Sequence, residues 1–563
     1  MNKLRVGILM DAPLQPAWAH QMIDIIKSSA FAELSLVIRF TAGCESRNEP
    51  RKSFVRELLL TAQEYVIGRS SASASALNPL DTSQLLAGVP EVMLIPTFSN
   101  ECENVDFAQL EEIKISKLDV LIQLCSSVPC GEIYDSARHG VWSYEIGKAT
   151  VSGFEPGEGW DVLVSNKVTE SVLRIRNSDS DPGVIAYKSY STTNDRSIED
   201  NASSILWKAL YFIPRKLEEL HRVGKDEFYT RLRKENPVPA DTETRKLEEP
   251  STWKFAALLW IKLVQKTKRK WRVTFFLQQW FLMYKFGPME APIAEGLSRL
   301  MPPKDRFWAD PFVVFRDNRY YIFFEECVLD DGNGIISVLA LNQDGTFDSP
   351  VPVLSKNYHL SYPFIFEHED ELYMMPESCK NRTVDLYKCK KFPYEWEYCA
   401  NLLNGRRLVD PTLLFWNDRW WLFANSVCND NASTWDELHL YFSDSLFSEN
   451  WIEHPKNPIV SDVRSARPAG KIYSRDGRLY RPSQNSSGHY GYGLNISEIC
   501  TLSETDYEEK IVERIEPAPD GEILSIHTLN YDHGLIVADA QRWRRKSIPI
   551  FFAGIWRRAR RLT

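Results

Sequence analysis

Apolar and polar positions alternate in two different ways along the chain, and the change of pattern divides it. In the first third, compact apolar runs such as Leu4–Met10 and Leu118–Leu124 are separated by helical spacing, as in Trp18–Ser29. Short apolar runs that alternate with helices predict an open, parallel sheet. No glycine-rich phosphate loop follows the first run, so the pattern does not support a dinucleotide site.

The second half repeats one pattern five times. Each repeat has a leading polar residue, usually followed by proline, then an apolar strand, a polar turn and a second apolar or aromatic strand. The leading residues, at spacings of 52, 48, 57 and 60, are Asp310, Tyr362, Asp410, Arg467 and His527. A period of about 54 residues built from β-hairpins indicates a propeller, here with five blades.

The two patterns predict a multidomain protein in which an α/β open parallel sheet is followed by an all-β five-bladed propeller. We divide the chain into four parts. They are an α/β domain over residues 1–235, a basic and aromatic helical connector over 236–299, the propeller over 300–541, and a basic, aromatic tail over 542–563.

Charge is distributed unevenly along the 563 residues. The formal net charge is −9, yet residues 251–286 and 541–563 each contain eight Lys or Arg and no acid. Basic residues interleaved with Trp and Phe suit an anionic membrane surface. Two alternatives remain open: the aromatics pack on the folded domains while the basic residues stay solvated, or the segments bind RNA. The acidic remainder makes nucleic acid the weaker partner.

The cysteines and the hydropathy pattern bear on location. Ten cysteines are scattered without a CxxC pair, so the sequence signals no zinc site and favours a reducing compartment. The first residues read as a strand rather than a signal peptide, and no stretch of 18 apolar residues predicts a spanning helix. We expect a cytoplasmic protein, peripheral on the inner membrane face, with no metal.

The propeller pattern also predicts a site. Innermost strands line the central channel of a propeller, so the five leading residues should form a ring. The ends of the second strands add Glu325, Glu326, Glu377, Asn425, Gln484 and Asp539. Paired carboxylates near Tyr, Arg and His suit acid–base chemistry on a sugar. The alternative is that the Asp-Pro and Glu positions are blade-turn residues.

We assign roles within this set. Asp310 is the candidate base, Glu377 or Glu326 the candidate acid, and Asp410 the fourth catalytic candidate. Four further side chains are expected to bind or orient the substrate: Tyr362, Arg467, Gln484 and His527.

Several motifs of the propeller carry a resemblance. Trp308-Ala-Asp-Pro-Phe, Met375-Pro-Glu-Ser and Arg481-Pro-Ser-Gln are among those similar to the N-terminal domain of plant glucosamine inositolphosphorylceramide transferases and its bacterial relatives. This resemblance implies a glycosyltransferase-type protein of surface glycan or glycolipid synthesis, with a nucleotide sugar as a candidate ligand. More distantly, the blades resemble family-43 glycoside hydrolases, which implies Asp310 as base and Glu377 as acid. Those hydrolases carry an Asp on blade two, where this chain has Tyr362, and Asp410 is the candidate substitute.

The first third carries a second resemblance. The run LDVLIQLCSSVPCGEIYDSARHGVWSYEIG, residues 118–147, is similar to the central part of the formyltransferase domain of methionyl-tRNA and sugar formyltransferases. The family's Asn and His positions become Ser143 and Glu145, and Asp181 would be the third catalytic residue. Because Asn and His are missing, two alternatives to the glycan enzyme stay open: a sugar N-formyltransferase that uses a formyl-folate with altered residues, and a non-catalytic glycan-binding scaffold.

Overall fold

A computed structural model of the chain describes residues 2–40, 62, 66–67, 75–94, 97–99, 102–104, 107–125, 129–147, 149–150, 159–178, 183–235, 251–289, 296–518 and 520–546. The chain divides into two compact units. They are Met1–Lys266 with Asn429–Ser433, and Thr267–Cys428 with Thr434–Thr563. The predicted site residue Asp181, residues 236–250 and 290–295 of the predicted connector and the tail beyond Lys546 lie outside the described residues.

The first unit is built on a mixed sheet in which five neighbouring strands are parallel and the last two strands at one end are joined by antiparallel pairing. A short eighth strand, Ala149–Thr150, pairs beside the line of seven. In order across the sheet, the seven are Val184–Thr192, Val168–Arg176, Val141–Ile146, Val120–Gln123, Leu4–Met10, Ala32–Phe40 and Glu91–Leu94. The predicted open parallel sheet is therefore present, with an antiparallel edge.

Helices cover both faces of this sheet, which explains the continuous apolar runs of its strands. In Leu4–Met10, Ile8 packs with one apolar cluster and Leu9 with another, because successive side chains point to opposite faces. Helix Ala17–Ser28 contributes to the first cluster and helix Phe107–Ile115 to the second. The unit thus has a helix–sheet–helix core.

The remaining elements of the first unit are short or peripheral. The other helices whose bounds lie within the described residues are Gly131–Ser136 (a 3₁₀ helix), Trp160–Leu163, Ile198–Ala209, Phe212–Val223 and Lys225–Glu235. Two small sheets pair Leu14–Pro16 with Pro79–Asp81, and Thr97–Ser99 with Cys102–Asn104 and Pro129–Cys130. The 24-residue helix Thr252–Phe275 follows. Within the described residues, no helix combines the length and the apolar content needed to cross a bilayer.

The second unit is a five-bladed β-propeller, as predicted. Its blades are antiparallel sheets of mostly four strands, which follow one another outward from the first strand of each blade. Blade 1 is Arg306–Arg316, Arg319–Val328, Gly334–Leu341 and Val351–Leu354, and blade 2 is Ser361–His368, Glu371–Glu377, Thr383–Lys391 and Glu395–Asn404. Blade 3 is Leu408–Trp416, Arg419–Ser426, Glu437–Ser443 and Ile452–Glu453, with Val460–Ser461 beside its third strand. Blade 4 is Tyr473–Arg475, Arg478–Asn485, Gly493–Leu502 and Tyr507–Ile515, and blade 5 is Leu529–Asp532, Leu535–Arg545, Phe276–Phe286 and Ser298–Leu300. A 3₁₀ turn, Cys379–Asn381, lies between the second and third strands of blade 2.

Blade 5 combines strands from both ends of the propeller. Phe276–Phe286 pairs along its whole length with Leu535–Arg545, residue for residue. The strands therefore extend beyond the predicted range 300–541 at both ends, and part of the segment predicted as a helical connector is a strand. The physical reason is that the last repeat supplies only two strands, and the unpaired edge of Leu535–Arg545 needs a hydrogen-bonding partner.

Apolar layers between neighbouring blades hold the propeller together. One layer joins Phe323 and Ile336 of blade 1 to Ile365 and Met374 of blade 2. Leu422 and Tyr441 of blade 3 lie in another layer that includes residues of blade 2. The alternating apolar residues of each strand thus fill the spaces between blades, which leaves the axis to the polar leading residues.

Candidate functional site

The leading residues of the first three repeats share an uncommon backbone conformation. Asp310, Tyr362 and Asp410 have φ of 53°, 43° and 51°, and a proline follows each. The strand register skips each of these residues and its proline, so each pair forms a bulge. Left-handed conformation is rare for residues with a side chain, and bulges redirect side chains near active sites. The same device in three blades marks this ring as the candidate site.

The bulges link neighbouring blades around the axis. In each, the freed backbone N–H donates to a carboxylate of the blade before it. Asp310 N–H donates to Asp539 Oδ2 of blade 5 (2.9 Å), Tyr362 N–H to Asp310 Oδ2 (3.2 Å), and Asp410 N–H to Glu377 Oε2 (3.3 Å). The bulges leave these N–H groups without a partner in the neighbouring strand, and the carboxylates at the centre accept them.

Asp410 is held as an ion pair. Arg467 donates through Nε to Asp410 Oδ2 (2.6 Å) and through a terminal nitrogen to Oδ1 (3.4 Å). Gln484 donates to Asp410 Oδ2 as well (3.0 Å). All three residues are buried, and a terminal nitrogen of Arg467 also lies 3.9 Å from Glu377 Oε2. The structure thus brings Asp410, Arg467, Gln484 and Glu377 together.

Two glutamates of the ring, at equivalent positions of blades 1 and 2, have raised pKa values. Glu325 pairs with the residue before Asp310, and Glu377 with the residue before Tyr362. Burial raises the pKa of Glu325 well above its usual value, and the negative charge of Asp310 adds to the effect. Burial raises the pKa of Glu377 likewise, together with the charge of Asp410. Both side chains are therefore able to hold a proton near neutral pH.

A histidine that follows blade 1 orients one of these glutamates. His359 Nδ1 accepts the Gly334 N–H (2.9 Å), so the ring proton lies on Nε2, 3.2 Å from Glu325 Oε1. Burial lowers the pKa of His359 to about 4. The imidazole is therefore neutral at pH 7 and serves as a hydrogen-bond donor rather than a cation.

Asp310, His527 and Asp539 form a buried triad between blades 1 and 5. His527 Nδ1 lies 2.6 Å from Asp539 Oδ2 and its Nε2 lies 3.5 Å from Asp310 Oδ1, which also accepts the hydroxyl of Thr528 (2.8 Å). Burial raises the pKa of Asp310 to about 6, aided by the charges of Asp410 and Asp539. Burial disfavours the imidazolium of His527, but the two neighbouring carboxylates outweigh this and raise its pKa.

This triad has the composition of a metal site, because its ligand atoms lie within 4.8 Å of one another. Asp539 Oδ1 already accepts the N–H groups of His527 and Thr528, and Oδ2 accepts that of Asp310. These contacts fit a proton-sharing triad better than a cation cage. A second group with mixed ligands lies in blade 3, formed by Cys428, Glu437 and His439.

Tyr362 has a different position from the predicted substrate-binding one. Its side chain is fully buried, and its hydroxyl contacts Thr412 Oγ1 of blade 3 (2.9 Å) and accepts the Gly470 N–H before blade 4 (2.8 Å). The ring of Phe312 packs against it edge-on. Tyr362 thus ties three blades together beneath the acidic residues.

Glu326 faces away from the ring. It accepts hydrogen bonds from Arg306 (2.9 Å), Trp308 Nε1 (3.3 Å) and Ser337 (2.6 Å), all within blade 1. Its neighbour Glu325 faces the axis instead, since consecutive side chains of a strand point to opposite faces. The prediction of Glu326 as an acid is therefore not supported by its position.

Aromatic side chains form one wall of the site. Trp280 stacks on His527 with ring centroids 4.1 Å apart, and Tyr490 lies edge-on to the same imidazole. Arg467 lies over the ring of Tyr490 (4.9 Å), which also contacts Trp435 (5.5 Å). Tyr490 and Trp435 are partly exposed, so the aromatic wall reaches from the buried acids towards solvent.

Part of this wall was not predicted from the sequence. Tyr490 lies in the motif Tyr490-Gly-Tyr-Gly, to which the sequence pattern assigned no role. Gly491 there has φ of +62°, and a Cβ on it would lie 2.8 Å from His527 Cβ, so the motif brings the chain close to the triad. Trp280 lies in the predicted connector, and no local signal marks it.

The predicted site of the first unit is arranged differently. Arg174 donates to both oxygens of Glu145 (2.8 and 2.9 Å), and Arg176 donates to Oε1 (2.9 Å). Ser143 is buried on the same strand, opposite Arg174. Glu145 is thus tied into a network of two arginines, and the third predicted member, Asp181, lies outside the described residues.

Comparison with known proteins supports the resemblance of the propeller. Residues 294–521 match the family model described as glucosamine inositolphosphorylceramide transferase 1, N-terminal. Plant proteins of that name from Oryza sativa subsp. japonica and Arabidopsis thaliana are 36% and 32% identical over 206 residues. The match covers 36% of this chain and 27% of each plant protein, so the chain spans about a quarter of the length of these relatives.

Solved structures resemble the chain only weakly. A family 117 glycoside hydrolase from Zobellia galactanivorans has 9% identity, covers 47% of this chain and 90% of its own, and gives a TM-score of 0.32. An exo-1,5-alpha-L-arabinanase from a bovine ruminal metagenomic library has 14% identity, covers 44% of this chain and 96% of its own, and gives 0.31. At these scores the likeness bears on neither mechanism nor substrate.

Proposed function

We propose that the propeller binds a sugar of a surface glycolipid at its axis and acts on it by acid–base chemistry in a glycosyl-transfer reaction. The observation that carries this proposal is the group of coupled carboxyl groups beside a partly exposed aromatic wall. Such a site combines an apolar face for a sugar ring with groups that donate and accept protons. The relatives named as glucosamine inositolphosphorylceramide transferases favour the same class of substrate.

Roles follow from the environment of each carboxyl group. Glu377 is partly exposed and holds a proton, so it suits a general acid. Asp310, fixed by Thr528 and the N–H of Tyr362, has a pKa of about 6 and suits a general base. Asp410 is the orienting group, because Arg467 keeps it paired.

The charge of the ring indicates the kind of sugar. Among the described residues, five carboxyl groups surround the axis, whereas Arg467 and His527 are the cations that pair with them. Such a site repels the phosphates of a donor and suits a neutral sugar or the ammonium group of an amino sugar. We therefore propose an amino sugar, in line with the glucosamine in the relatives' name, with any nucleotide diphosphate held away from the acids.

The first unit and the location complete the proposal. The short helix Gly131–Ser136 and the strand after Gly140 support a formyltransferase-like fold, but two arginines hold the carboxylate of Glu145 in ion pairs at the position where the family has a histidine. We propose that this unit keeps the fold without formyl transfer or a formyl-folate. Free thiols are present at Cys327, Cys379, Cys389, Cys399 and Cys500, which supports a reducing compartment. We propose a cytoplasmic location at the inner membrane face.

The proposal is tested by an assay of transfer from a panel of nucleotide sugars to inositol phospholipids, with products detected by mass spectrometry. We expect Asp310→Asn and Glu377→Gln to lower turnover by about 100-fold or more while both variants stay folded. Glu326→Gln is the matched control, a buried glutamate of the same propeller that faces away, and should keep turnover near wild type. Full turnover in a folded Glu377→Gln variant would contradict the assignment, and saturable sugar binding without turnover would favour the scaffold alternative.

A further inference from the structure

Three tryptophans lie along one stripe of the helix Thr252–Phe275. Trp253, Trp260 and Trp271 are 87%, 66% and 60% exposed. At about 100° per residue, separations of seven and eighteen residues bring all three to within about 20° of one direction. Large indole rings are seldom left in water by chance, and here three lie in line on one helix.

The opposite side of the same helix is already packed. Phe255 and Leu259 are buried in an apolar cluster with Val66, Val162 and Leu163 of the first unit. The tryptophan stripe is therefore not the face that anchors the helix. Its exposure needs a partner outside the described residues to account for it.

Positive charge surrounds the stripe. The helix carries seven Lys or Arg, and residues 251–286 contain no Asp or Glu. Lys268 and Arg272 are exposed within about 100° of the tryptophan direction. The aromatic residues are thus bordered by cations with no neighbouring acid on the helix to neutralise them.

The second basic segment meets the C-terminal end of this helix. The N–H of Lys546 donates to the carbonyl of Phe275 (3.0 Å), and Arg272 lies over the ring of Trp543 (5.6 Å). Arg545 is exposed beside them. Two basic segments that are about 270 residues apart in the sequence therefore form one cationic surface.

We propose that the tryptophan stripe of Thr252–Phe275, together with Lys268, Arg272 and Arg545, binds the headgroup region of an anionic lipid bilayer. Tryptophan is enriched at membrane interfaces, where the ring is buried and its N–H stays hydrated. Lysine and arginine add attraction to anionic headgroups. A nucleic acid would use the cations but leave the aromatic stripe unexplained, and the chain as a whole is acidic.

The test is sedimentation of the full chain with vesicles that contain no glycolipid, so the outcome does not depend on the axial site. Vesicles of phosphatidylcholine alone are compared with vesicles that also contain phosphatidylglycerol, at low and high salt. We expect binding to the anionic vesicles, weakened by salt, with a blue shift of tryptophan emission as the indoles leave water.

Two variants separate the contribution of the charged residues to vesicle binding from that of the tryptophans. Lys268→Gln, Arg272→Gln and Arg545→Gln together should weaken binding by about fivefold for each charge removed. Trp253→Gln, Trp260→Gln and Trp271→Gln together should weaken it by about tenfold or more and abolish the blue shift. The controls replace other exposed residues, all in the propeller, by glutamine: Lys391, Lys510 and Arg514 for the charges, and Tyr394, Tyr398 and Phe415 for the aromatics.

Four outcomes would overturn the proposal, and three of them concern binding. They are a wild-type chain that does not sediment with anionic vesicles, a tryptophan variant that binds them as the wild type does, and a chain that binds duplex RNA while ignoring vesicles. Dimerisation that the tryptophan variant alone removes, without vesicle binding, would likewise assign the stripe to a second copy of the chain. The propeller control variants are expected to bind anionic vesicles as the wild type does.

Discussion

At the scale of single residues, the carboxyl groups at the propeller axis depend on one arginine and one histidine for their charge state. Arg467 contacts both Asp410 and Glu377, and His527 contacts both Asp310 and Asp539. Removing either cation leaves buried carboxylates with hydrogen bonds but without the positive charge that pairs with them. The stability of the ring and its chemistry are therefore coupled.

We predict that Arg467→Met lowers the free energy of unfolding of the propeller by about 3–5 kcal/mol, because the buried charge of Asp410 loses its partner. Adding Asp410→Asn to the same chain should recover part of this loss. The matched control is Arg478→Met, which breaks an exposed pair with Glu498 (3.2 Å) and should cost about 1 kcal/mol or less. Urea unfolding of the wild type and these variants measures the difference, and equal losses for Arg467 and Arg478 would contradict the ion-pair account.

We also predict that the propeller loses stability as pH rises above 6.5. Asp539 and Asp310 outweigh burial and raise the pKa of His527 above 6.5, so the folded state keeps a proton that the unfolded chain releases. Its stabilisation is complete below that pH and is lost as pH rises through the folded pKa. Glu325 and Glu377, whose pKa values burial raises well above 4.5, act in the same direction.

Calorimetry of the wild type and of His527→Gln across this pH range measures the effect, and the variant should show a flatter profile. His139→Gln is the control. Burial lowers the pKa of His139 to about 4, so its imidazole is neutral in both states above pH 6.5. A profile for His527→Gln that falls as steeply as that of the wild type would contradict the assignment.

Because the repeats are equivalent, the sequence could predict which residues lie near the axis. It could not predict the direction in which each side chain points. The leading positions, among them Asp310 and Asp410, lie at the ring because every blade places them at the same radius. Glu325 and Glu326 are adjacent, and the sequence does not say which of the two faces inward. Tyr362 shares the position of Asp310, but its length carries the hydroxyl past the ring into contacts with other blades.

At the scale of elements, the closing strand Phe276–Phe286 is the least predictable part of the propeller. Its sequence follows a basic helix and reads as a continuation of an aromatic connector. Its partner, Leu535–Arg545, lies about 260 residues away, and no local pattern records such a pairing. The four blades built from consecutive residues were predictable because each is a local hairpin repeat.

This strand supports a prediction about fragments. A chain of residues 267–546 contains both strands of the closing pair, whereas residues 300–541 lack Phe276–Phe286 and leave a long edge unpaired. We expect the longer fragment to unfold cooperatively and the shorter one to aggregate or to lose several kcal/mol of stability. The two fragments are compared by circular dichroism and gel filtration. A stable, monomeric 300–541 fragment would contradict the role of Phe276–Phe286 in closing the propeller.

At the scale of the whole molecule, two units with different chemistry share one chain. The predicted open sheet and the five blades are both present, and the predicted chemistry of the first unit rests on Glu145, which two arginines hold. The propeller contains the coupled acids and the aromatic wall. The periodicity of the sequence could predict the fold of both units. The hydrogen bonds and ion pairs of each acid depend on contacts between blades, which exist only in the folded chain.

The central claim is that the sugar site lies at the propeller axis. The most direct test is the thermal shift that a glucosaminyl-inositol phosphate headgroup produces in the full chain, in Tyr490→Ala, which removes the partly exposed aromatic ring beside the acids, and in the controls Glu326→Gln and Glu145→Gln. A bound ligand raises the unfolding temperature by an amount set by its concentration relative to its dissociation constant. We predict a shift in the wild type and in both controls that Tyr490→Ala loses. An unchanged shift in Tyr490→Ala, or its loss in Glu145→Gln alone, would contradict the claim.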